Sequence, residues 1–575
     1  MKSQDLWNRV RAELIGSDVD IQTPFGLRRL TYADHTASGR AVASLEAYLG
    51  RMLELYGNTH TEDDATGMVT SERLRQAEST IKRLVNAGPD HRIIAVGAGT
   101  TGAVHRLQQI LGVYLPPAGK DQFQRLLTER LGDTGFRELS AWLRSRRPVV
   151  FVGPYEHHSN EVSWRECFAE VVEIELDGHG RLDLDDLRRK LGWEEYGGRR
   201  LIGAFSAASN VSGVRTPVHE VAHILHESGA VALFDYAAAA PYERIDMRRD
   251  PVSPLDAVYF SPHKFVGGPG SSGILVIHKR LYREDLPPTV GAGGTVDFVD
   301  FDGQTYASDI EVREKAGTPP ILQTLRASLA MELAETLGYD RIASTEASHV
   351  RLAHQLLGSH PSIELMGDVG LEDRLPIFSF NIRVGDSWLH PRYVTLLLND
   401  LFGIQSRAGC SCAAPYGHRL LHIDSQKSQE IRRTILRGNI GLKPGWARVS
   451  FHFLATEAEV RFICRAIRFV AEHGSRFLAR YWFDVHTGRW RHKDAAEPGA
   501  SFGLGEALDA PGIEAGSGQP RTGPGHSRDD RELDALFESY LTEAERLAAT
   551  LGPADLHHTE ARLIPFVYSQ EESAG

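Results

Sequence analysis

The sequence predicts an α/β fold: a large domain built on a mostly parallel sheet flanked by helices, then a smaller α+β domain. Three observations predict it. Short apolar runs at 92–96, 148–152, 171–174, 201–205, 231–234 and 257–260 alternate with segments of helical length and pattern. From about Ile321 the pattern changes to longer helices with shorter strands between them. The residues best suited to chemistry, Thr100, Thr101, His157, Asn210, Asp235 and Lys264, all follow the carboxyl end of a predicted strand. Ligands of open parallel sheets sit there.

Composition narrows the function classes. The chain has 575 residues, 42% of them hydrophobic, which is ample for more than one core. Its net charge of −12 is dispersed and offers no basic patch for nucleic acid. Four cysteines do not make a disulfide framework, so a reducing, cytoplasmic setting is expected. Met1–Asp5 leads into an amphipathic segment rather than an apolar signal core. No run approaches the ~18 apolar residues of a membrane span.

In chain order, Leu30–Asp34 is strand-like and breaks into His35-Thr36-Ala37-Ser38-Gly39, whose small residues allow close backbone approach. A helix is predicted from about Ser71, its N-cap, to Ala87, with Gly88-Pro89 as its stop. The 92–96 strand then runs into Gly97-Ala98-Gly99-Thr100-Thr101-Gly102 and a helix. A glycine-rich turn opening a helix presents free N–H groups and a positive dipole end, and the two threonine hydroxyls add donors. This suits a phosphate, although the spacing matches neither a P-loop nor a dinucleotide fingerprint. Residues 112–147 read as a polar, helical surface excursion.

The 148–152 strand ends at Tyr155-Glu156-His157-His158-Ser159-Asn160. Paired histidines there could hold a metal, stack on an aromatic cofactor, or lie in a solvated turn; no third ligand stands at a zinc-like spacing. Asn210 can donate to a phenolic oxygen. Asp235, at the end of an apolar strand, needs a partner, and a protonated pyridine nitrogen would be a suitable one. In Ser261-Pro262-His263-Lys264-Phe265-Val266-Gly267-Gly268 a single lysine lies in a glycine-rich loop between two apolar runs. Such lysines form Schiff bases with carbonyl compounds, pyridoxal phosphate among them.

In the second half, Ser406-Arg407-Ala408-Gly409-Cys410-Ser411-Cys412-Ala413 holds two cysteines two residues apart. In an extended backbone both would face one side. Metal binding with His418 and His422 is an alternative, without the second thiol pair of common zinc sites. Arg448, inside an apolar strand, calls for a carboxylate. Cys464, on a helix capped by Thr456-x-x-Glu459, and Cys167 read as core. Residues 481–485 and 489–492 look like hairpin arms. Residues 497–529, rich in Gly, Pro, Ala and Ser, read as a disordered linker. The last helix, about Asp530–Leu551, carries one apolar stripe that must dock on this chain, a dimer mate or a partner. A chain cut near Glu497 is expected to keep a folded core.

Together these residues resemble the class V aminotransferase family of pyridoxal-phosphate enzymes, nearest its cysteine desulfurase/selenocysteine lyase branch. The matching stretches are Asp34-x-x-Ala-Ser, Gly99-Thr100-Thr101, Glu156-His157-His158-x-Asn160, Ser209-Asn210-Val211-x-Gly213, Asp235, Ser261-x-His263-Lys264, Ala316-Gly317-Thr318-Pro319, Arg407-x-Gly409-x-x-Cys412-Ala413 and Arg448-x-Ser450. They run in order from about Tyr32 to Phe453, omitting the 112–147 excursion and the chain beyond about 475.

The resemblance implies aminotransferase fold type I, with a seven-stranded sheet in the large domain. Taken with the segments read above, the expected division is an N-terminal helical segment (1–30) packing with the small domain, a large domain (31–320), a small domain (321–475), an aromatic hairpin (476–496), the linker and a C-terminal helix with its tail (530–575). The resemblance also implies roles. Lys264 would carry pyridoxal 5'-phosphate, Asp235 would hold its pyridinium, His157 would stack on its ring and Asn210 would meet its phenolic oxygen. Thr100, Thr101, Ser261 and His263 would bind its phosphate, with Thr318 reaching in from the second subunit of a homodimer. Arg448, with Arg407 and Asn160, would bind the amino-acid substrate. Cys412 matches the persulfide-forming cysteine, which would pass sulfur to an acceptor, a protein being one candidate.

Two departures stand out. Alanine (Ala238) occupies the position three after Asp235 where desulfurases of the family carry glutamine, and Cys410 stands where histidine is common. The leading expectation is a desulfurase-like lyase. The alternatives are a transaminase or other amino-acid lyase that does not use Cys412, and a non-catalytic cofactor-binding interaction protein.

Overall fold

The computed structural model describes residues 3–97, 99–367, 370–371, 373–495, 530–559 and 563–570. The linker expected over 497–529 lies outside the described residues.

The predicted sheet forms with seven strands, in the order His91–Val96, Gly273–His278, Ala257–Phe260, Val231–Asp235, Leu201–Ser206, Val149–Val152 and Glu170–Glu173. The strands from 257–260 to 170–173 pair in parallel; Gly273–His278 runs antiparallel to both neighbours. The strand sequences explain the burial. Every residue of Val149–Val152 and of Ala257–Phe260 is buried, as continuous apolar runs must be when helices cover both sheet faces. Strands of this sheet end at one edge, at Ser206, Asp235, Phe260 and Val96, and residues from the loops beyond them line one cavity.

The helix placed at Ser71 starts earlier, at Ala65. Asp64 caps it, accepting from the Gly67 N–H at 2.7 Å, and Ser71 is a buried residue inside it. The 112–147 excursion is helical over Pro117–Arg144, and that helix is broken at Gly132 and buries none of its residues.

The second sheet runs Arg407–Gly409, Trp446–Ser450, Ile377–Val384, Ser387–Leu389, Phe566–Tyr568, His557–His558, with Ile363–Leu365 on the flank of Ile377–Val384. Its core draws on remote pieces of chain. The Tyr481–Phe483 and Trp490–His492 arms pair as expected and put Tyr481, Phe483 and Trp490 into it. The Asp530–Thr550 helix buries Leu533, Phe537, Tyr540 and Leu541 there, with Phe537 stacked on Phe462 at 4.0 Å. The hairpin and last helix, which read as separate modules, thus join one core with 377–477, and the helix docks on its own chain.

Residues 3–30 form a helix, Ser3–Ala12, followed by a hairpin, Asp20–Thr23 with Gly26–Arg29, rather than helix alone. The hairpin does pack on the small half, where Thr23 Oγ1 donates to Asp400 O and Arg28 Nε to Leu401 O. Among the described residues no helix is long and apolar enough to cross a membrane.

Candidate active site

A cavity of about 540 Å³ opens at the carboxyl edge of the large sheet, lined by Thr100, His157, Asn210, Asp235, Lys264 and Arg448 among others. Lys264 ends a short 3-10 turn, Pro262–Lys264, after the buried Ala257–Phe260 strand. The turn folds tightly: a Cβ at Gly268 would stand 1.9 Å from Pro262 O, so only glycine fits. Burial pulls the Lys264 ammonium down to about 8, Asp235 opposes that, and Arg448 and Arg407 add to it. The lysine therefore gives up its proton far more readily than an ordinary lysine, with a substantial neutral fraction near physiological pH.

Asp235 ends its strand buried and accepts from the Ala237 N–H at 2.8 Å. Burial raises its carboxyl to about 6, against that N–H and the Lys264 charge. His157 lines the wall, its Nδ1 accepting from Ser159 N at 3.1 Å. Burial, then the Lys264 and His158 charges, lower it to about 4, so the ring is neutral at physiological pH. Asn210 donates through Nδ2 to Ser411 O at 2.8 Å and keeps a buried Oδ1 without a partner.

One corner is built for an anion. The Gly99–Ile110 helix opens into it with Gly99 at φ +53, where a Cβ would come within 2.9 Å of Ser261 Oγ. Ser261 Oγ accepts from Thr100 N at 2.8 Å and donates to Thr100 Oγ1 at 2.9 Å. Thr101 pairs with Ser159 at 2.7 Å, and His263 lies beside Ser38. Burial, with the Lys264 charge, lowers His263 to about 4.

Arg448 finds the carboxylate that its strand demanded. Its Nη2 meets Asp34 Oδ1 at 2.8 Å and its Nη1 donates to Asn210 O at 2.9 Å, while Nε is buried with no partner. Arg407 is its cross-strand partner in register, so both guanidiniums reach the cavity from the second sheet. Asp34 entered the sequence reading only as a motif residue; its role as counter-charge needed the fold.

Several expectations change. Asn160 does not line the cavity. It is fully buried behind the wall, donating to Glu156 and Ala204 O and accepting from Trp164 and Tyr259. Thr318 stands outside the cavity of its own chain, exposed, accepting from Asn58 Nδ2 at 2.9 Å. Cys412 is half-buried and is not among the residues lining the cavity, whereas Ser411 is. The Cys-x-Cys backbone is not extended: Ser411 and Cys412 both take left-handed φ, 51° and 56°. Among the described residues no group of His, Cys, Asp and Glu could hold a metal.

Glu156 was missed as a site residue. Its buried carboxylate accepts from Ser206 N, Ser206 Oγ, Gly153 N and Asn160, and burial raises it to about 7. Ser206 is the cross-strand partner of Asp235, so Glu156 braces the wall beside that aspartate. The signal was present, as a carboxylate at a strand end beside two histidines.

The donor set fits pyridoxal phosphate. A buried amine, a buried carboxylate, a flat neutral imidazole and an amide with an orphaned oxygen face one cavity, with an anion corner at a helix N-terminus. Fold and site define a fold type I pyridoxal-phosphate-dependent enzyme. The aminotransferase class-V family profile matches residues 137–463. The chain belongs to the class V aminotransferase family.

Curated relatives carry the name probable cysteine desulfurase. One from Halalkalibacterium halodurans is 27% identical over 391 residues, covering 67% of this chain and 84% of the relative. One from Streptomyces coelicolor is 30% identical over 315 residues, covering 54% and 66%. Among solved structures, a cysteine desulfurase of Thermococcus onnurineus NA1 superposes with a TM-score of 0.60 at 22% identity, covering 77% of this chain and 95% of that one. The Escherichia coli cysteine desulfurase CsdA superposes at 0.58 and 23%, covering 78% and 97%. At these identities the structures speak for the fold.

Proposed function

We propose that the protein is a pyridoxal-phosphate-dependent cysteine desulfurase-like lyase acting on an amino acid. The observation that carries this reading is the meeting, in one cavity, of Lys264, Asp235 and Arg448, with the Cys412 loop at its rim. Lys264 would hold the cofactor covalently, Asp235 its ring nitrogen, His157 its face and Asn210 its phenolic oxygen, with the phosphate in the Thr100, Thr101, Ser261, His263 corner. When bound, the cofactor supplies the electron sink for breaking bonds at the substrate's α- and β-carbons.

The chain's own groups do the rest. Arg448 and Arg407 bind the substrate carboxylate, and Asp34 fixes the Arg448 fork before substrate arrives. Lys264 Nζ, whose ammonium is brought down to about 8 by burial, takes the Cα proton in its neutral form. Cys412 Sγ attacks the substrate sulfur, so that an S–S bond forms as the C–S bond breaks, leaving alanine and a persulfide on the protein. A sulfur acceptor then takes the outer sulfur.

The protein acts as a homodimer, with Thr318 directed at the neighbouring site. Exposed apolar side chains support this: Leu53, Leu55 and Tyr56 just before the segment that bonds Gly317 and Thr318 through His60 and Asn58, and Phe298 and Phe301 on the 296–306 hairpin.

A second reading, a transaminase or other amino-acid lyase, is favoured by Ala238 and by the position of Cys412 away from the cavity lining. The two separate in one assay: purified protein with cysteine, scored for alanine and for sulfide, with and without a keto acid. Under the desulfurase reading Cys412→Ala abolishes alanine release yet keeps the cofactor's visible absorbance. Brief reaction with cysteine also adds one sulfur, ~32 Da, to wild type and not to Cys412→Ala. Turnover of cysteine by Cys412→Ala at the wild-type rate sinks the persulfide step and installs the second reading.

A further inference from the structure

The paired histidines divide their work. The His157 ring lines the cavity, whereas the His158 ring turns to the outer side, towards the cysteine loop. Two bonds join His158 to that loop. Its backbone N–H donates to Cys412 O at 2.7 Å, and its Nε2 accepts from Ala414 N–H at 3.1 Å. The second bond fixes the tautomer: Nε2 must carry a lone pair, so the proton sits on Nδ1.

What the bonds hold is strained. Ser411 and Cys412 are two of four non-glycine residues with left-handed φ among the described residues, and they are consecutive. Such backbone persists only where its surroundings over-determine it. Beyond His158, Asn210 Nδ2 holds Ser411 O, and Trp446 Nε1 reaches Ser411 Oγ. The result places Ser411 on the cavity, Ala414 on an outer groove with His158 and Pro415, and Cys412 between the two.

We propose that His158 is a positioning residue whose ring latches the 410–414 loop in its strained form and holds the Cys412 thiol back from the cavity. This rests on the reading of Cys412 as the sulfur-carrying thiol. Because the latch lies next in sequence to the ring that faces the cofactor, it ties the cysteine loop to the loop that forms the cofactor wall.

An imidazolium cannot accept at Nε2, so protonation of His158 releases the Ala414 bond. The groups around it are Glu161 and Arg165, which pair with each other, His418 of the Ala414–Leu420 helix, His157 before it, and Lys443. Burial, then the Lys443 and Arg165 charges, hold His158 below its ordinary value, so the latch stays engaged at neutral pH and opens on the acid side.

The test uses full-length, cofactor-loaded protein and follows alkylation of Cys412 by iodoacetamide, read by peptide mass spectrometry. The cofactor's absorbance verifies that each variant is folded. His158→Ala should speed alkylation about tenfold, the scale of one net hydrogen bond. His158→Gln, whose amide oxygen accepts from Ala414 without titrating, should stay within about twofold of wild type. Below the ordinary histidine value of about 6.5, the ratio of the wild-type rate to the His158→Gln rate at the same pH should climb. Equal rates in wild type and His158→Ala, equal acceleration by Ala and Gln, or a ratio flat with pH each overturn the latch. These rates judge the latch whether or not Cys412 carries sulfur; alanine release by Cys412→Ala judges that reading separately.

Discussion

The two halves of the molecule meet at one cavity but are built on different terms. The large-sheet half assembles from consecutive strands and crossover helices, and its site residues stand at strand ends: Asp235 closes Val231–Asp235, buried from Ala232 on, and Lys264 follows the wholly buried Ala257–Phe260. The small half closes only by gathering residues 20–29, 391–402, 481–492, 530–550 and 566–568 around one sheet. The cavity inherits the contrast. Its floor, at the end of the large sheet, carries the lysine and the carboxylate; its far wall carries two arginines and a strained cysteine loop. The cofactor chemistry thus rests on local structure, and the substrate and sulfur chemistry on long-range assembly.

The largest expected effect breaks the small half outright. Burying Leu533, Phe537, Tyr540 and Leu541 stabilises it by roughly 1.5–3 kcal/mol per side chain. Together that approaches the ~5–15 kcal/mol that holds a whole protein folded. Ending the chain at residue 495 should therefore give protein that aggregates or is rapidly cleaved by trypsin within the small half. A truncated protein that stays soluble and protease-resistant would mean the small half closes without its last helix, and the contrast would fail.

Next in size is a change confined to the floor. Asp235→Ala should leave protein of wild-type melting behaviour while activity falls on the order of 100-fold or more, the scale of losing one preorganised electrostatic contact. Steady-state turnover and a thermal melt on the same sample test both parts. An active Asp235→Ala enzyme would move the cofactor ring elsewhere.

The same contrast explains what was legible in the sequence. The large sheet could be read because apolar runs alternate with helices and its chemistry sits at strand ends. Thr100, His157, Asn210, Asp235 and Lys264 all face the cavity as expected. Asn160 could not be read correctly, since only the fold brings Glu156, Trp164 and Tyr259 around its amide. The Asp34–Arg448 pair joins positions 414 residues apart, and no local pattern announces it. The last helix displayed its apolar stripe plainly, but a stripe does not say what covers it. The cysteine spacing would put both thiols on one side only in an extended backbone, and the left-handed φ of two successive residues comes with bonds from His158, Asn210 and Trp446, all remote in sequence.

The smallest effect measures how far the wall acts on the floor. Burial holds Lys264 near 8 instead of the 10.5 of an ordinary lysine, and Arg448 and Arg407 push in the same direction while Asp235 and Asp34 oppose. Cofactor capture by the cofactor-free protein needs the neutral amine as nucleophile. Its rate should therefore rise about tenfold per pH unit below 8 and level above it, whereas an unperturbed lysine would still be rising past pH 9. Stopped-flow absorbance after mixing with pyridoxal phosphate gives the midpoint directly. Arg407 is exposed and its contribution is screened, so Arg407→Gln should raise that midpoint by only a fraction of a unit. The shift should shrink as salt is added, because the charge acts through solvent, while the burial contribution should persist. A midpoint near 10 in wild type would mean that Lys264 is solvated and that the floor is not the closed surface described. A midpoint near 8 that ignores both Arg407 and salt would mean that burial alone sets the lysine, and that the small half contributes binding groups but no electrostatic tuning.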